Sequence, residues 1–150
     1  MHYCYAIVTK KYDKAIDIAD DRCDSGEWDY YDIGGRFSGL IPVSKRCKPV
    51  RMEGNGLWRN GTELYDINPN MRYTNVARLR NVNRNEILNI QACGYLNIFS
   101  PYGIIMEQLD GSIRELILED ANESELRAMH DYLNDERTQS FYIFVIDIHV

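Results

Sequence analysis

Aromatic, acidic and basic side chains are concentrated in one stretch, residues 28–39, which reads Trp-Asp-Tyr-Tyr-Asp-Ile-Gly-Gly-Arg-Phe-Ser-Gly. The glycine pair, Gly34 and Gly35, leaves backbone N–H groups uncovered, and Arg36 adds a planar fork of five donors. Such donors favour an anion such as phosphate or carboxylate, and aromatic rings beside them stack on bases. The residues that we predict to bind a ligand are Trp28, Asp29, Tyr31, Gly34, Gly35, Arg36 and Phe37.

The same stretch also has a purely structural interpretation. Gly34-Gly35 is typical of a turn or bulge between two extended segments, because glycine reaches positive φ without a clash. In that case the guanidinium of Arg36 pairs with Asp29 or Asp32 and serves the fold. An open guanidinium would indicate a site, and an engaged one would indicate scaffold.

A second group of polar residues lies at the end of the chain. Asp147 and His149 are two residues apart in an apolar segment, so they share one face of a strand. They are the candidates for a general acid–base pair, although structural pairing with each other or with a loop is the commoner explanation of such residues. His2 and Cys4 share a face of the first strand and would join them if the terminal strands are neighbours. This spacing matches no usual zinc pattern, so we assign no metal, no cofactor and no catalytic residue.

Standard catalytic motifs are absent from the sequence. It contains no Gly-x-Ser-x-Gly, no P-loop and no His-Glu-x-x-His. The four cysteines are scattered and have no neighbouring histidine, which gives no case for a thiol nucleophile. These observations favour a binding protein over an enzyme.

The stretch 28–39 resembles a signature, Trp-Asp-Trp-Tyr-x-Ile-Gly-Gly-Arg-Trp-x-Gly, of small, mostly uncharacterised proteins from phages and bacteria. Tyr30 and Phe37 stand where that family usually has tryptophan, and the segment 145–150 resembles its closing Val-Asp-x-His-Ile. The resemblance implies a phage-type small protein and implies no chemistry. The positions that match the signature are Trp28, Asp29, Tyr31, Ile33, Gly34, Gly35, Arg36 and Gly39.

Composition indicates one soluble domain with segregated charge. The chain has 150 residues and 45% hydrophobic residues, which fits a single domain with a real core. Residues 36–85 carry ten basic and three acidic side chains, whereas residues 86–150 carry three basic and twelve acidic ones. We therefore predict an irregular basic insertion at about 44–85, whose arginines lie near Arg36 and face an anionic partner.

The order of apolar segments predicts an α+β fold with a mainly antiparallel sheet and two or three short helices. His2–Thr9 and 141–150 are apolar on both sides, which places them together inside one sheet. Asn122, with Glu125 three residues later, predicts the start of the last helix. Other expected elements are a helix at about 13–20, a strand from Phe37 to about Ile41, a hairpin at Asp110-Gly111, and less regular elements within 44–100, including a helix after Asn83.

Several features place the protein in the cytoplasm, which would be the host cytoplasm if a phage encodes it. No apolar run approaches the ~20 residues that span a bilayer, and the start lacks the features of a signal peptide. Scattered cysteines are typical of a reduced compartment. We therefore expect no membrane partner.

Three functional hypotheses follow. The preferred one is a non-catalytic binding protein, such as a counter-defence inhibitor or sponge, whose partner is a nucleotide, an RNA or a host defence protein. The alternative is a small enzyme that acts on a nucleotide or nucleic acid through Asp147, His149 and Arg36. The third is an assembly protein that forms a homo-oligomer through its eleven tyrosines.

Overall fold

The computed structural model describes residues 1–44, 65–68, 71–82 and 101–150, and its centre is a pair of strands from opposite ends of the chain. Strand β1 (His2–Thr9) runs antiparallel to β9 (Tyr142–His149) along its whole length. Both strands are rich in β-branched and aromatic residues and are apolar on both faces, as central strands require. The prediction that the terminal strands share one sheet is confirmed.

Four more strands complete this main sheet. One neighbour of β1 is β7, which runs parallel to it, and β8 pairs antiparallel with β7. On the other side of β9, β2 covers one half of the strand and β6 covers the other half, both antiparallel. The predicted α+β fold with a mainly antiparallel sheet is therefore confirmed. The bounds are Tyr30–Ile33 for β2, Val76–Arg78 for β6, Gly103–Glu107 for β7 and Ile113–Ile117 for β8.

A helix covers each face of the main sheet. Helix α1 (Tyr12–Asp24) packs on the face that carries Tyr5 and Ile7, which we call the α1 face. Helix α2 (Glu123–Asn134) packs on the opposite face, the α2 face, which carries Ala6 and Val8. Asn122 begins α2 with the predicted capping box, because its side chain accepts from the backbone N–H of Glu125.

A smaller sheet joins the α2 face. Its three antiparallel strands have the order β3, β5, β4, and buried side chains of β3 reach the same core cluster as α2. The described parts of the segment 44–85 are thus mostly strands, whereas the other elements predicted within 44–100 fall outside the described residues. The bounds are Ile41–Ser44 for β3, Tyr65–Asn68 for β4 and Met71–Thr74 for β5.

Two predicted bounds need correction. The first helix is longer than the predicted 13–20 and ends at Asp24. The strand predicted from Phe37 to about Ile41 is wrong, because Phe37 closes a 3-10 helix (Gly35–Phe37) and the strand begins only at Ile41. Pro42 lies inside that strand, which is possible because β3 ends its sheet, where a missing N–H is tolerated. No helix in the described part of the chain has the length and apolar character needed to cross a bilayer.

Candidate anion-binding site

The polar residues singled out in the sequence meet where β1, β9 and β2 lie side by side. His149 is the register partner of His2 on one side and of Tyr30 on the other. We call these three residues the histidine row. In the next row of the same face, Asp147 lies between Cys4 and Asp32. Strand pairing therefore brings together residues from the two ends of the chain, as the shared faces predicted.

Asp147 is buried, and each of its carboxylate oxygens has a partner. The residue is 2% exposed, its Oδ1 lies 2.7 Å from Nδ1 of His2, and its Oδ2 accepts from the backbone N–H of Arg36 at 2.9 Å. A carboxylate is tolerated inside a protein when such bonds replace water. Because a carboxylate only accepts hydrogen bonds, Nδ1 of His2 carries the proton of this bond, and Nε2 is the acceptor nitrogen of a neutral ring.

The glycine pair allows the chain to pass directly over this carboxylate. Gly34 and Gly35 have φ of +80° and +51°, a region that glycine reaches without strain. A Cβ atom on Gly35 would overlap the side chain of Asp147, and one on Gly34 would overlap the amide of Asn75. Both positions therefore require glycine for the close approach as well as for the backbone angle.

Asn75 holds the turn from the other side. β2 and β6 pair with the same edge of β9, and Val145 lies between the two parts of β9 that they cover. Both backbone groups of Val145 therefore pair with loop residues. Its carbonyl accepts from Gly34 at 2.8 Å, and its N–H donates to the carbonyl of Asn75 at 2.9 Å. The buried side chain of Asn75 also accepts from the backbone N–H of Gly39 at 2.6 Å. The turn is thus fixed by hydrogen bonds at both ends.

A second imidazole is oriented by a second carboxylate. Nδ1 of His149 lies 3.0 Å from Oδ2 of Asp29, and its Nε2 lies 3.2 Å from the amino nitrogen of Met1. The ring of Tyr30 stacks on it with centroids 4.9 Å apart and planes 4° apart. The ring of His2 meets it edge-on at 5.0 Å. The three rings of the histidine row therefore contact one another, with His149 between Tyr30 and the largely buried His2.

The guanidinium of Arg36 is open. The residue is exposed, and its side chain makes no hydrogen bond or ion pair with any residue in the described ranges. Asp29 engages His149 instead, and Asp32 is exposed beside Asp147. Of the two arrangements considered from the sequence, the structure has the open one. The backbone of Arg36 is nevertheless fixed, because its N–H is bound by Asp147.

The aromatic residues that are buried and those that are exposed in the stretch 28–39 differ from the prediction. Trp28 is 4% exposed and packs against Tyr5, so its ring is part of the α1-face core and does not reach solvent. Tyr31 is half-buried and its hydroxyl donates to Asp20 of α1 at 2.8 Å. Tyr30, which was not among the predicted ligand-binding residues, is 47% exposed and presents its ring.

Phe37, the last predicted aromatic, is also half-buried and packs against the α2-face core. Strand alternation separates Tyr30 from Tyr31, but it does not tell which of the two faces solvent. The sequence indicates that His2 belongs to the site only through the face of the first strand that it shares with Cys4. Tyr30 and His2 lie in the site because strand pairing brings distant segments of the chain together.

Cys4 is the register partner of Asp147 on β1 and is buried. Burial, followed by the charge of Asp147, raises the pKa of its thiol to about 12, so it stays protonated at neutral pH. Within the described residues, no group of three histidine, cysteine or acidic side chains is arranged to hold a metal ion.

Among the described arginines of the basic middle segment, Arg78 lies at the far end of β9 from this site. Arg78 pairs with Tyr142, at the end of β9 opposite His149. Its guanidinium donates to the carbonyl of Ser140 and lies 4.5 Å from the centroid of the Tyr142 ring. The other arginines predicted near Arg36 belong mostly to stretches outside the described residues.

Comparison with known proteins adds no relative. No protein-family model matches the chain, and neither a curated protein nor a solved structure matches it significantly. The resemblance of the stretch 28–39 to phage proteins stays a prediction.

Replacing Gly35 with alanine should lower the free energy of unfolding by roughly 2–5 kcal/mol, from positive-φ strain together with the clash on Asp147. Gly111→Ala is the matched control, because Gly111 also has positive φ (+88°) but a Cβ there would meet nothing within 4 Å. Urea unfolding measures both. Equal losses in the two variants would contradict close packing of the turn on Asp147.

Replacing Asp147 with alanine should lower the free energy of unfolding by roughly 2–5 kcal/mol, because it strands buried donors of His2 and Arg36. Asp147→Asn keeps an acceptor for Arg36 and should cost less. Asp32→Ala, at the exposed register partner, should stay within about 0.5 kcal/mol. Thermal and urea unfolding of the three variants test the order, and an Asp147→Ala protein as stable as Asp32→Ala would refute it.

Proposed function

We propose that this protein binds a phosphate-bearing ligand, a nucleotide or an RNA, at the histidine row and Arg36. The observation that carries the proposal is the open guanidinium of Arg36 on a backbone held by a buried carboxylate. A fixed backbone lowers the entropic cost of binding, and an unpaired fork supplies the bidentate geometry that phosphate oxygens accept.

The exposed ring of Tyr30 supports a ligand that carries a base. One side of the Tyr30 ring is stacked on His149, and nearly half of the residue is exposed. Stacking of a base on such a ring contributes about 1–3 kcal/mol and tolerates different bases. Nucleotides and single-stranded RNA offer both groups that the surface would recognise.

Binding of a ligand without a chemical reaction suits a protein whose role is to sequester that ligand. The resemblance to phage proteins supports a counter-defence role in the host cytoplasm, in which the chain would sequester a signalling nucleotide or an RNA. A host defence protein that presents an anionic group could use the same surface.

Arg36→Ala should weaken binding of a nucleotide or short RNA by roughly 10- to 150-fold, which corresponds to the 1.5–3 kcal/mol of a charge-assisted hydrogen bond. It should leave the melting temperature unchanged, because the side chain has no partner in the described structure. Calorimetric titration with a panel of nucleotides and oligoribonucleotides measures the affinity.

Arg127→Ala is the matched control for this experiment. Arg127 is an exposed arginine on α2 that, among the described residues, pairs with exposed Glu123 and with no member of the histidine row. Its loss should not change the affinity. The proposal fails if no member of the panel binds, or if Arg36→Ala and Arg127→Ala bind as the unchanged protein does.

The second candidate is an enzyme acting on the same ligands, and one observation favours it. Nδ1 of His2 is held by the buried Asp147, and Nε2 has no hydrogen-bond partner among the described residues, which is the usual arrangement of an oriented general base. Asp147 itself cannot transfer protons to a ligand, because it is buried and both oxygens are engaged. His2 would therefore take the role first considered for Asp147, with His149 as its acid partner.

Recovery of the ligand separates the two candidates. Capture returns it intact after prolonged incubation, whereas catalysis returns a changed molecule and loses that activity in His2→Asn. This substitution keeps a donor toward Asp147 but removes the proton-accepting ring.

A further inference from the structure

Strand β8 lies at one end of the main sheet, and in the described part of the chain it pairs with β7 alone. The register between the two strands is continuous, from Ile113 opposite Glu107 to Ile117 opposite Gly103, and contains no bulge. The free side of such a strand presents a row of backbone N–H and C=O groups that can pair with another strand. This edge is therefore a candidate interaction surface.

The hydrogen bonds at the two ends of the ladder show which backbone groups face away from β7. The N–H of Gln108 donates to the carbonyl of Ser112, and the N–H of Leu118 donates to the carbonyl of Tyr102. Because hydrogen-bonded pairs alternate along an antiparallel ladder, the even-numbered residues of β8 bond to β7. The odd-numbered residues turn their backbone groups outward and bond through them to no other described residue; they are Ile113, Glu115 and Ile117.

The features that usually protect an exposed edge are missing from β8. Edge strands commonly carry proline, a bulge or unpaired charges that deter another strand. β8 has neither proline nor bulge, and both of its charged side chains have partners within the chain. Glu115 lies 2.5 Å from Arg22, and Arg114 lies 4.0 Å from Glu125. The first residue of the strand, Ile113, is 42% exposed, so the edge is also partly apolar.

The sequence of β8 is complementary to a second copy of itself. When two copies run antiparallel with Glu115 at the two-fold axis, Ile113 of one copy lies opposite Ile117 of the other, and Arg114 lies opposite Leu116. All three outward-facing residues are then used, and each of their pairs exchanges two backbone hydrogen bonds. A shift by two residues is the smallest that keeps the two faces of the sheet apart, and it would pair fewer of them.

We propose that β8 is a homodimer interface, in which two copies of this chain join their main sheets edge to edge through antiparallel β8 strands. Because both copies use the same edge, the assembly closes at two chains. The two Glu115 carboxylates meet at the axis, and the ion pair with Arg22 within each chain offsets their repulsion. A 3-10 helix (Leu118–Asp120) follows β8 directly, so the paired surface is short and the dimer forms at roughly micromolar or higher concentrations.

Sedimentation of the whole chain over a series of concentrations tests the dimer. The mass should rise from that of one chain to that of two chains and no further. Ile113→Lys places a charge beside apolar Ile117 in both copies, so it should move the midpoint to a concentration roughly tenfold higher or more. Val150→Lys is the matched control, because Val150 is 46% exposed but lies outside β8, and it should leave the midpoint unchanged.

Ile113→Pro tests the backbone hydrogen bonds of the interface. Proline removes an outward N–H, and its ring obstructs the approaching strand, whereas the first residue of an edge strand tolerates proline. The variant should therefore stay monomeric at every concentration. At a dilution where the unchanged protein is also monomeric, the two should have the same melting temperature.

Amide hydrogen exchange identifies the paired edge residue by residue. The amides of Arg114 and Leu116 should be protected at every concentration, because they bond to β7. The amides of Ile113, Glu115 and Ile117 should become protected only at concentrations where the dimer forms.

Three results would overturn the proposal: a chain that stays monomeric at every concentration, a dimer in which the outward amides exchange freely, or outward amides that are already protected in the monomer. Each of them would leave the proposed ligand binding untouched, because β8 and β2 lie at opposite ends of the main sheet.

Discussion

The carboxylate of Asp147 is the constraint on which the candidate site depends. Its two oxygens tie together segments that are distant in the sequence, His2 at a separation of 145 residues and Arg36 at a separation of 111. An ionised group at such a depth is stable only while both partners remain in place. The pairing of β1 with β9 and the path of the glycine turn over β9 are therefore linked through one side chain.

The two carboxylate–imidazole pairs are built differently. The side chain of Asp147 is 3% exposed, so its bond to His2 lies in an environment that screens charge poorly. The side chain of Asp29 is 62% exposed, so solvent screens its bond to His149 and the pair contributes little to stability. The fold consequently depends far more on the buried pair than on the exposed one.

The sequence predicts which strand faces form this site better than it predicts the contacts between the side chains of the site. Alternation along the terminal strands correctly predicts two buried faces and places Asp147 and His149 on one side. It does not predict that Asp147 bonds to His2, because that contact depends on the register between the two ends of the chain. Trp28 lies before the start of β2, so strand alternation gives no guide to its burial, and its core position follows from packing against Tyr5.

Most of the glycine-rich stretch can be explained by folding alone. Gly34 and Gly35 are required by backbone angle and by close packing, and Tyr31 and Phe37 fill the two cores. The side chain of Arg36 has no such explanation. Where the structure is described, it belongs to neither packing cluster and pairs with no carboxylate, although two acidic residues lie in the same stretch. Within the described residues, the fold thus accounts for the backbone of Arg36 but not for its guanidinium, and the proposed anion site depends on that guanidinium.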